Sequence, residues 1–482
     1  MTNFEIPKFN PVFEISKNCS SATYIKFNGK CYSFSDFFYL VNKYKLFIKN
    51  LELNNNDILT LIGPNSIEYL AIILASFECN QTLALISEKD TGSEILFKLN
   101  QIKSKNIITT LPLLFDDINV FQINNIVISP DDLYSPSSWN TEKEALLLFT
   151  TGSTGKPKAV IHSIKSLFSA AFASNEVTKF SKNKEWLVSL PFSHIAALQI
   201  FMRSLLTGGN LRVLEKHNAE SIISALKESS SEYLSVVPIQ LEEIIEACGK
   251  DFVNKNLETI LLAGAPSSPK LKELILDIKT EILTCYGMSE VGSHISCLPR
   301  NSNPLKRRSV GKLISNVELE LRDPNTGLKI YSGNSGQIAL KTPQLAIGYI
   351  HPDGTKEYFK EWFITNDIGE FDSDGFLYIK GRVDNIFISG GENISIREIE
   401  LCAFSCKGVK ECAVIPVGDE KWGQRPILFV VFEDQSVRNQ LEEILKRDLA
   451  RFKFPKEIIE LSELPKIGIG KVDYQKLTKL AK

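Results

Sequence analysis

The sequence predicts an α/β fold. A large N-terminal domain of mainly parallel, helix-covered sheets carries a small β-barrel-like portion, and a small α+β C-terminal domain follows. Three observations predict this. Apolar runs of strand length alternate with helical repeats through the first part of the chain, the pattern of parallel sheets covered by helices. From about residue 308, short strands separated by Gly, Asp and Asn turns take over. A smaller mixed segment then follows Gly381, and 482 residues exceed what one compact core holds.

The elements follow in order. Residues 23–27 and 30–33 flank Asn28-Gly29, a strong short-range hairpin signal. Phe37, Leu40, Val41, Tyr44, Phe47, Ile48 and Leu51 recur at helical spacing. Residues 58–62 read as a buried strand and 67–77 as the helix after it. The alternation continues with strand 186–190, helix 196–206, strand 211–214 and helix 219–227. Short strands are expected at 317–321, 337–340, 370–371 and 376–380. The last segment reads as helix 396–406, strands 411–417 and 427–432, helix 437–449 and a tail rich in Lys and Pro. The expected division is 1–383 and 384–482, with a short hinge near 381–384.

Composition excludes several classes. The chain is 43% hydrophobic and 23% charged, ordinary for a globular protein. A formal net charge of -2, with acids and bases interspersed, gives no electrostatic case for nucleic acid or an anionic membrane as partner. The longest apolar stretch, 69–77, is far short of the roughly 20 residues of a spanning helix. Residues 1–18 carry charges and prolines without the apolar core of a signal peptide. Nine cysteines are scattered rather than set in a framework, so a cytoplasmic location is expected, as monomer or homo-oligomer. Cys402, Cys406 and Cys412 come closest to metal-ligand spacing, but no His lies near them and structural zinc sites favour tighter pairs.

The stretch Thr150-Thr151-Gly152-Ser153-Thr154-Gly155-Lys156-Pro157-Lys158 directly follows the apolar run 145–149. A buried strand ending in such a loop presents backbone N–H groups, hydroxyls and ammonium charges together, as a polyphosphate requires. The common phosphate loop needs four residues between its first Gly and its Gly-Lys pair, then Ser or Thr. Only two residues separate Gly152 from Gly155, and Pro157 follows Lys156, so that motif is excluded. Further on, Gly287-Met288-Ser289-Glu290-Val291 falls one residue short of a hydrolase nucleophile elbow, which needs Gly where Val291 stands.

Five stations occur in order: 150–158, Tyr286-Gly287-Met288-Ser289-Glu290, 362–367 ending in Asp367, Gly381-Arg382-Val383-Asp384, and 465–471. In this order and spacing the chain resembles the adenylate-forming superfamily of acyl-CoA synthetases, luciferases and peptide-synthetase adenylation domains, over essentially its whole length. The resemblance implies an acid–thiol ligase using ATP, magnesium and coenzyme A. An acyl-adenylate and pyrophosphate form first, then an acyl-CoA thioester and AMP. It implies that Ser153, Thr154, Gly155 and Lys156 hold the β and γ phosphates with Lys158 adding charge. Tyr286, beside Gly287, stacks on adenine, Ser289 bonds phosphate and Glu290 binds magnesium. Asp367 accepts both ribose hydroxyls, and Arg382 holds ribose or phosphate. Asp384 is the implied hinge of a mobile C-terminal domain, whose Lys471 stabilises the adenylation transition state. Gly390 and Gly391, in the 389–393 loop, line the channel for CoA. Three positions depart from the pattern: Ala159 where Gly is usual, Asn366 for Gly before Asp367, and Ser289 for Thr.

The acid is sought elsewhere. His194, in Pro191-Phe192-Ser193-His194, is by resemblance the gate of the acyl pocket. Arg203 sits inside an apolar helical repeat, and charged residues are rarely buried unpaired, so it is expected to snorkel to solvent or meet an acid. The segments 235–240, 261–266 with Gly264, and 385–392 look like those of the o-succinylbenzoate–CoA ligases of menaquinone (vitamin K2) synthesis. That substrate is a dicarboxylate, which gives Arg203 a carboxylate to bind. Aryl ligases of the benzoate and 4-chlorobenzoate type share the Ser-Gly-Gly-Glu-Asn loop, so a monocarboxylic aryl or short acyl acid is the alternative. A stand-alone adenylation module that loads a carrier protein is another.

Overall fold

The computed structural model describes residues 5–481 except 19, 55, 127–135, 152–156, 266, 268, 300–301, 332–333, 384–385, 390–391, 434–436 and 468–470. Two large sheets form the N-terminal part. The first has nine strands in the order Lys312–Leu313, Ser296–Leu298, Glu281–Tyr286, Thr259–Leu262, Tyr233–Val236, Glu185–Val188, Asn210–Val213, Thr23–Phe27 and Lys30–Ser33. Its central strands, from Glu281–Tyr286 to Thr23–Phe27, are all parallel. The second has eight strands: Lys356–Tyr358, Gly348–Ile350, Pro157–Ser163, Glu144–Thr151, Thr82–Ile86, Ile58–Ile62, Asn106–Thr109 and Asn119–Gln122.

One apolar cluster draws on both sheets and on the helices Phe34–Asn50, Ile67–Glu78, Ile164–Thr178 and Ile195–Thr207. In Ile67–Glu78 every residue but Glu68 is buried, because a helix apolar on all sides must have protein on all sides. This explains why the longest apolar stretch of the chain lies in a core helix. No helix among the described residues is long and apolar enough to cross a membrane.

The hairpin expected at Asn28-Gly29 is present. Phe27 pairs with Lys30 across the two-residue turn, and Asn28 and Gly29 have φ of 48° and 73°, the left-handed pair that Asn-Gly supplies at least cost. The strands and helices expected at 58–62, 67–77, 186–190, 196–206, 211–214 and 219–227 all occur, with ends shifted by one or two residues.

A five-stranded antiparallel sheet corresponds to the portion expected to be barrel-like: Lys329–Ile330, Glu318–Arg322, Gly336–Lys341, Phe363–Phe371 and Leu377–Arg382. Among the described residues its ladder does not close on itself. The strand expected at 370–371 is longer, and Phe363–Phe371 carries all of the 362–367 station but Trp362 within a strand. Beyond it, Val409–Asp419 pairs antiparallel with Gly423–Phe432, which pairs parallel with Glu457–Glu460. The helices Ile396–Phe404 and Arg438–Asp448 bury Ile399, Ala403, Leu441 and Leu445 against Val414, Leu428 and Val430. That cluster contains no residue before Phe387, so the C-terminal segment has a core of its own.

One polar contact stands inside the main core. Lys45 Nζ lies 2.6 Å from Glu78 Oε2, with both side chains fully buried. Asn10 donates to Glu78 Oε1 at 3.0 Å and the Ser137 N–H to Oε2 at 3.2 Å. Four segments distant in sequence are thereby tied at one carboxylate. Removing one partner of such a pair leaves an uncompensated buried charge. Lys45→Met should therefore lower the unfolding free energy of the large domain by about 3–5 kcal/mol, measured by denaturant titration. The double variant Lys45→Met/Glu78→Leu should be less destabilised than Lys45→Met alone.

Candidate active site

The parallel strand Glu281–Tyr286 ends at Tyr286, and the chain turns back into Ser296–Leu298. The carboxyl end of a parallel strand is where ligands bind in open α/β sheets. Gly287 is required there: a Cβ would lie 1.8 Å from the Ser293 carbonyl oxygen. A short 3-10 turn, Ser289–Val291, then ends on Gly292 at φ 65°. Tyr286, Ser289 and Glu290 are thus held on one tight turn.

Two more stations meet this turn. The Tyr286 phenol donates to Asp367 Oδ2 at 2.5 Å, and Arg382 Nη1 lies 3.4 Å from Asp367 Oδ1. Asp367 and Arg382 are register partners on the strands Phe363–Phe371 and Leu377–Arg382, which places them as cross-strand neighbours. The Asp367 side chain is 13% exposed and that of Arg382 45%. A half-open pair of this kind adds little stability, so its value lies in presenting acceptors and a charge at the surface of a cleft. Burial, then the charge and hydrogen bond of Asp367, hold the Tyr286 phenol well above its ordinary pKa. It stays a donor, and its ring face is unaffected.

Glu290 is engaged from the eight-stranded sheet. The Tyr349 phenol donates to Glu290 Oε1 at 2.6 Å, and the Ala346 N–H donates to the Glu290 carbonyl at 2.7 Å. Next to it, His162 Nε2 lies 2.9 Å from the Ser289 carbonyl oxygen and Nδ1 3.3 Å from Ser166 Oγ. Burial pushes the His162 imidazole down to about 4 despite its bond to that carbonyl, so it is neutral near pH 7. Lys158 Nζ stands 4.8 Å from the centre of the Tyr349 ring. Sequence reasoning singled out neither His162 nor Tyr349. Each lies inside a strand, and its partner is 127 and 59 residues away respectively.

The 150–158 stretch is the end of an antiparallel hairpin: Thr150 pairs with Lys158 and Thr151 with Pro157, on strands Glu144–Thr151 and Pro157–Ser163. Gly152, Ser153, Thr154, Gly155 and Lys156 lie outside the described residues, as do Asp384, Gly390 and Gly391. Lys471 begins the two-residue strand Lys471–Val472, which pairs with Lys466–Ile467. The described ends of the 465–471 station thus pair antiparallel.

On the acid side, His194 immediately precedes the helix Ile195–Thr207. The loop before it is fixed by Asn65, which donates to the Leu190 carbonyl and accepts from the Phe192 N–H, both at 2.8 Å. Gly264 has φ 92°, and a Cβ there would come within 3.2 Å of Val237 Cγ1, so glycine brings two strand ends close together.

Arg203 corrects the expectation made for it. It is 1% exposed, so it does not snorkel. Its guanidinium carbon lies 4.5 Å from the centre of the Trp186 ring, and Nη1 donates to Ser174 Oγ at 2.8 Å. Among the described residues no acid pairs with it, and Nε has no hydrogen-bond partner. A planar, weakly hydrated guanidinium stacks on indole more readily than an ammonium does, which is what permits this burial. Burial still pushes its pKa down to about 9. His294 is near enough that burial, then the Arg203 charge, push its imidazole down to about 3. Neither His294 nitrogen has a partner among the described residues, nor do Gln199 Oε1 and Gln344 Oε1.

No group of three or more His, Cys, Asp and Glu among the described residues could hold a metal ion, and Cys406 and Cys412 are buried free thiols. A single carboxylate such as Glu290 still fits magnesium that arrives with a nucleotide, because phosphate oxygens and water complete its octahedron.

An α/β body in which the 286–290 turn meets Asp367 and Tyr349 from two other sheets, followed by a small α+β unit, fits a nucleotide-using enzyme class. Residues 14–350 match the model of the AMP-binding enzyme family and residues 398–471 that of the AMP-binding enzyme C-terminal domain. The chain belongs to the AMP-binding enzyme family. It is 30% identical to the 2-succinylbenzoate–CoA ligase of Listeria monocytogenes over 460 residues, 94% of this chain and 96% of the relative. It is 29% identical to that of Staphylococcus epidermidis over 443 residues, 91% of each. The fold is shared with o-succinylbenzoate CoA synthetase from Bacillus subtilis in complex with its acyl-adenylate, at TM-score 0.87 and 22% identity over 97% of this chain and 98% of that one. It is also shared with ATP-bound MatB from Rhodopseudomonas palustris, at TM-score 0.86 and 22% identity over 98% and 99%.

Asp367 is the best-defined polar acceptor of the cleft. Asp367→Asn should weaken ATP and AMP binding about 10–100-fold, the worth of hydrogen bonds to a charged group, measured by calorimetry. Tyr286→Phe, which removes only the phenolic oxygen, should weaken it less.

Proposed function

We propose that the protein is an ATP-dependent acid–CoA ligase acting on 2-succinylbenzoate, in the cytoplasm, as a step of menaquinone synthesis. The observation that carries this reading is similarity along nearly the full length of both chains to 2-succinylbenzoate–CoA ligases. The buried chemistry around Arg203 supports it independently.

In the first half-reaction a carboxylate oxygen attacks the α-phosphorus of ATP. A P–O bond forms, the bond to the β-bridging oxygen breaks, and pyrophosphate leaves. In the second, the thiol of CoA attacks the acyl carbon, its proton is lost and AMP departs. Within this scheme Asp367 accepts the ribose hydroxyls with the lone pairs Tyr286 leaves open, and Arg382 supplies positive charge beside them. Thr150, Thr151 and Lys158 flank the phosphate-side loop, and Ser289 offers a hydroxyl to phosphate. Glu290 would hold magnesium, which when bound offsets charge on the phosphate oxygens. Lys471 acts from the C-terminal unit, which we take to begin at residue 384, and Gly390 and Gly391 border the CoA path.

The acid is read from Arg203. A buried guanidinium with an open Nε, next to unpartnered His294 nitrogens, is costly unless an anion completes it. The carboxylate of 2-succinylbenzoate that is not activated is such an anion, whereas benzoate has none to offer.

A panel of carboxylic acids assayed for pyrophosphate release, with and without CoA, tests the reaction and the substrate together. The expected result is the highest kcat/KM with 2-succinylbenzoate and AMP release that requires CoA. Preference for a monocarboxylic acid would overturn the substrate, and AMP release indifferent to CoA would point to carrier loading. Arg203→Leu should lower the ratio of kcat/KM for 2-succinylbenzoate over benzoate by roughly tenfold or more, as loss of a charged bidentate contact implies; an unchanged ratio removes Arg203 from the substrate site. Lys471→Ala should abolish acid-dependent pyrophosphate release yet leave thioester formation from supplied acyl-adenylate within about threefold, since its charge acts on the first transition state only. Equal loss of both half-reactions would count against that division of labour.

A further inference from the structure

We propose that His162 and Tyr349 are positioning residues for Glu290: from two neighbouring strands of one sheet, they fix the turn that carries this carboxylate and the direction in which it points. The proposal rests on the reading of Glu290 as the carboxylate of the nucleotide–magnesium site.

The Ser289 carbonyl can only accept, so His162 Nε2, 2.9 Å away, carries the proton. The imidazole is buried and neutral, and its single N–H is committed to this bond; Nδ1 is left as an acceptor facing Ser166 Oγ at 3.3 Å. The Glu290 carbonyl is held in turn by the Ala346 N–H at 2.7 Å. These two bonds fix the backbone on either side of Glu290. The Tyr349 phenol, 2.6 Å from Oε1, then fixes the carboxylate. It takes one lone pair and leaves Oε2 and the other lone pair of Oε1 for a cation.

His162 and Tyr349 belong to one ladder, and Ala346 to the loop leading into it. The strand Gly348–Ile350 pairs with Pro157–Ser163, Tyr349 opposite Val160, and the Ile347 N–H donates to the Ile161 carbonyl at 2.7 Å. Pro157–Ser163 is also the second strand of the hairpin that ends in the 150–158 stretch. The Tyr349 ring is itself set edge-on to Phe359, centroids 4.7 Å apart, with Lys158 above it. Glu290 comes from the other large sheet, so these bonds join the phosphate-side hairpin and the carboxylate into one rigid body. A ligand held this way meets its cation without reorganising.

Three variants test this: Tyr349→Phe, which keeps the ring and deletes one oxygen; His162→Leu, which deletes the donor; and His162→Gln, whose amide N–H can replace Nε2–H. ATP binding is measured by calorimetry with excess magnesium and with chelator, alongside acid-dependent pyrophosphate release and melting temperature. Tyr349→Phe and His162→Leu should each reduce the magnesium-dependent gain in ATP affinity, and kcat, by about tenfold or more, the usual scale for residues behind a metal ligand. ATP affinity without magnesium and KM for the acid should stay within about twofold, because neither residue touches those groups. His162→Gln should recover most of the loss. The proposal fails if Tyr349→Phe keeps the wild-type magnesium gain and kcat. It also fails if ATP affinity falls equally with and without magnesium. Should His162→Leu not fold, Tyr349→Phe decides alone. Absence of acid-dependent pyrophosphate release by the wild-type protein would overturn the functional reading, whereas the magnesium increment decides the positioning roles by itself.

Discussion

The turn after strand Glu281–Tyr286 is where three sheets are fastened together, and the site depends on it. Tyr286 bonds Asp367 of the five-stranded sheet, while Ser289 and Glu290 bond His162, Ala346 and Tyr349 of the eight-stranded sheet and the loop leading to it. The turn itself continues a strand of the nine-stranded sheet. It can be this tight only because Gly287 has no side chain: a methyl group would sit 1.8 Å from the Ser293 carbonyl oxygen and 2.3 Å from His294 Cα. One missing Cβ therefore keeps Tyr286, and the Asp367 carboxylate bonded to it, close to Glu290. The Ile295 N–H closes the turn onto the Tyr286 carbonyl at 2.9 Å, so it cannot open without breaking the start of the returning strand.

Two buried cations in the same domain show how differently burial can be resolved. Lys45 meets Glu78, whose second oxygen is taken by Asn10; the charge is neutralised and the carboxylate is satisfied. That arrangement is complete without a ligand. Arg203 has an indole face and one serine hydroxyl in place of an acid. Stacking on Trp186 makes its burial tolerable, but it leaves Nε open beside two open His294 nitrogens. Had the chain needed only a packed helix, an apolar residue would fill the same volume at no desolvation cost. The set around Arg203 is left incomplete among the described residues, and the set around Glu78 is not.

Much of the fold was legible in the sequence because it depends on local rules. Asn28-Gly29 names its turn by the φ values it allows, and the alternation of apolar runs with helical repeats names a parallel sheet. In the first half of the chain element ends moved by at most two residues, as frayed termini do, whereas the strands expected to begin at 370 and 427 begin at Phe363 and Gly423. The 362–367 station was less legible. Its mix of aromatic, polar and acidic residues hides a nine-residue strand, because both neighbours that complete its ladder come from other segments. The 150–158 stretch was read as a loop after a strand; its described ends lie in two strands, and the antiparallel return through Pro157–Ser163 depends on pairing with Glu144–Thr151. Local composition says nothing about the direction in which a chain comes back.

The nucleotide side and the acid side of the cleft differ in legibility for a related reason. The residues proposed for phosphate, ribose and magnesium sit at strand ends and tight turns, where backbone geometry restricts the residue type and leaves a short recognisable string. Tyr286, Glu290 and Asp367 were singled out that way. Arg203, proposed for the acid, lies in the core, where packing sets the choice and many sequences satisfy it. Arg203 drew notice only as a charge in an apolar repeat, and its surroundings were misjudged because Trp186 and Ser174 come from other elements. His162 left no mark at all. A histidine in a buried strand looks like filler until the carbonyl it holds is found on a turn 127 residues away. Residues that act by holding others are therefore hard to find in the sequence by themselves, and their position in the ladder that carries the site is what reveals them.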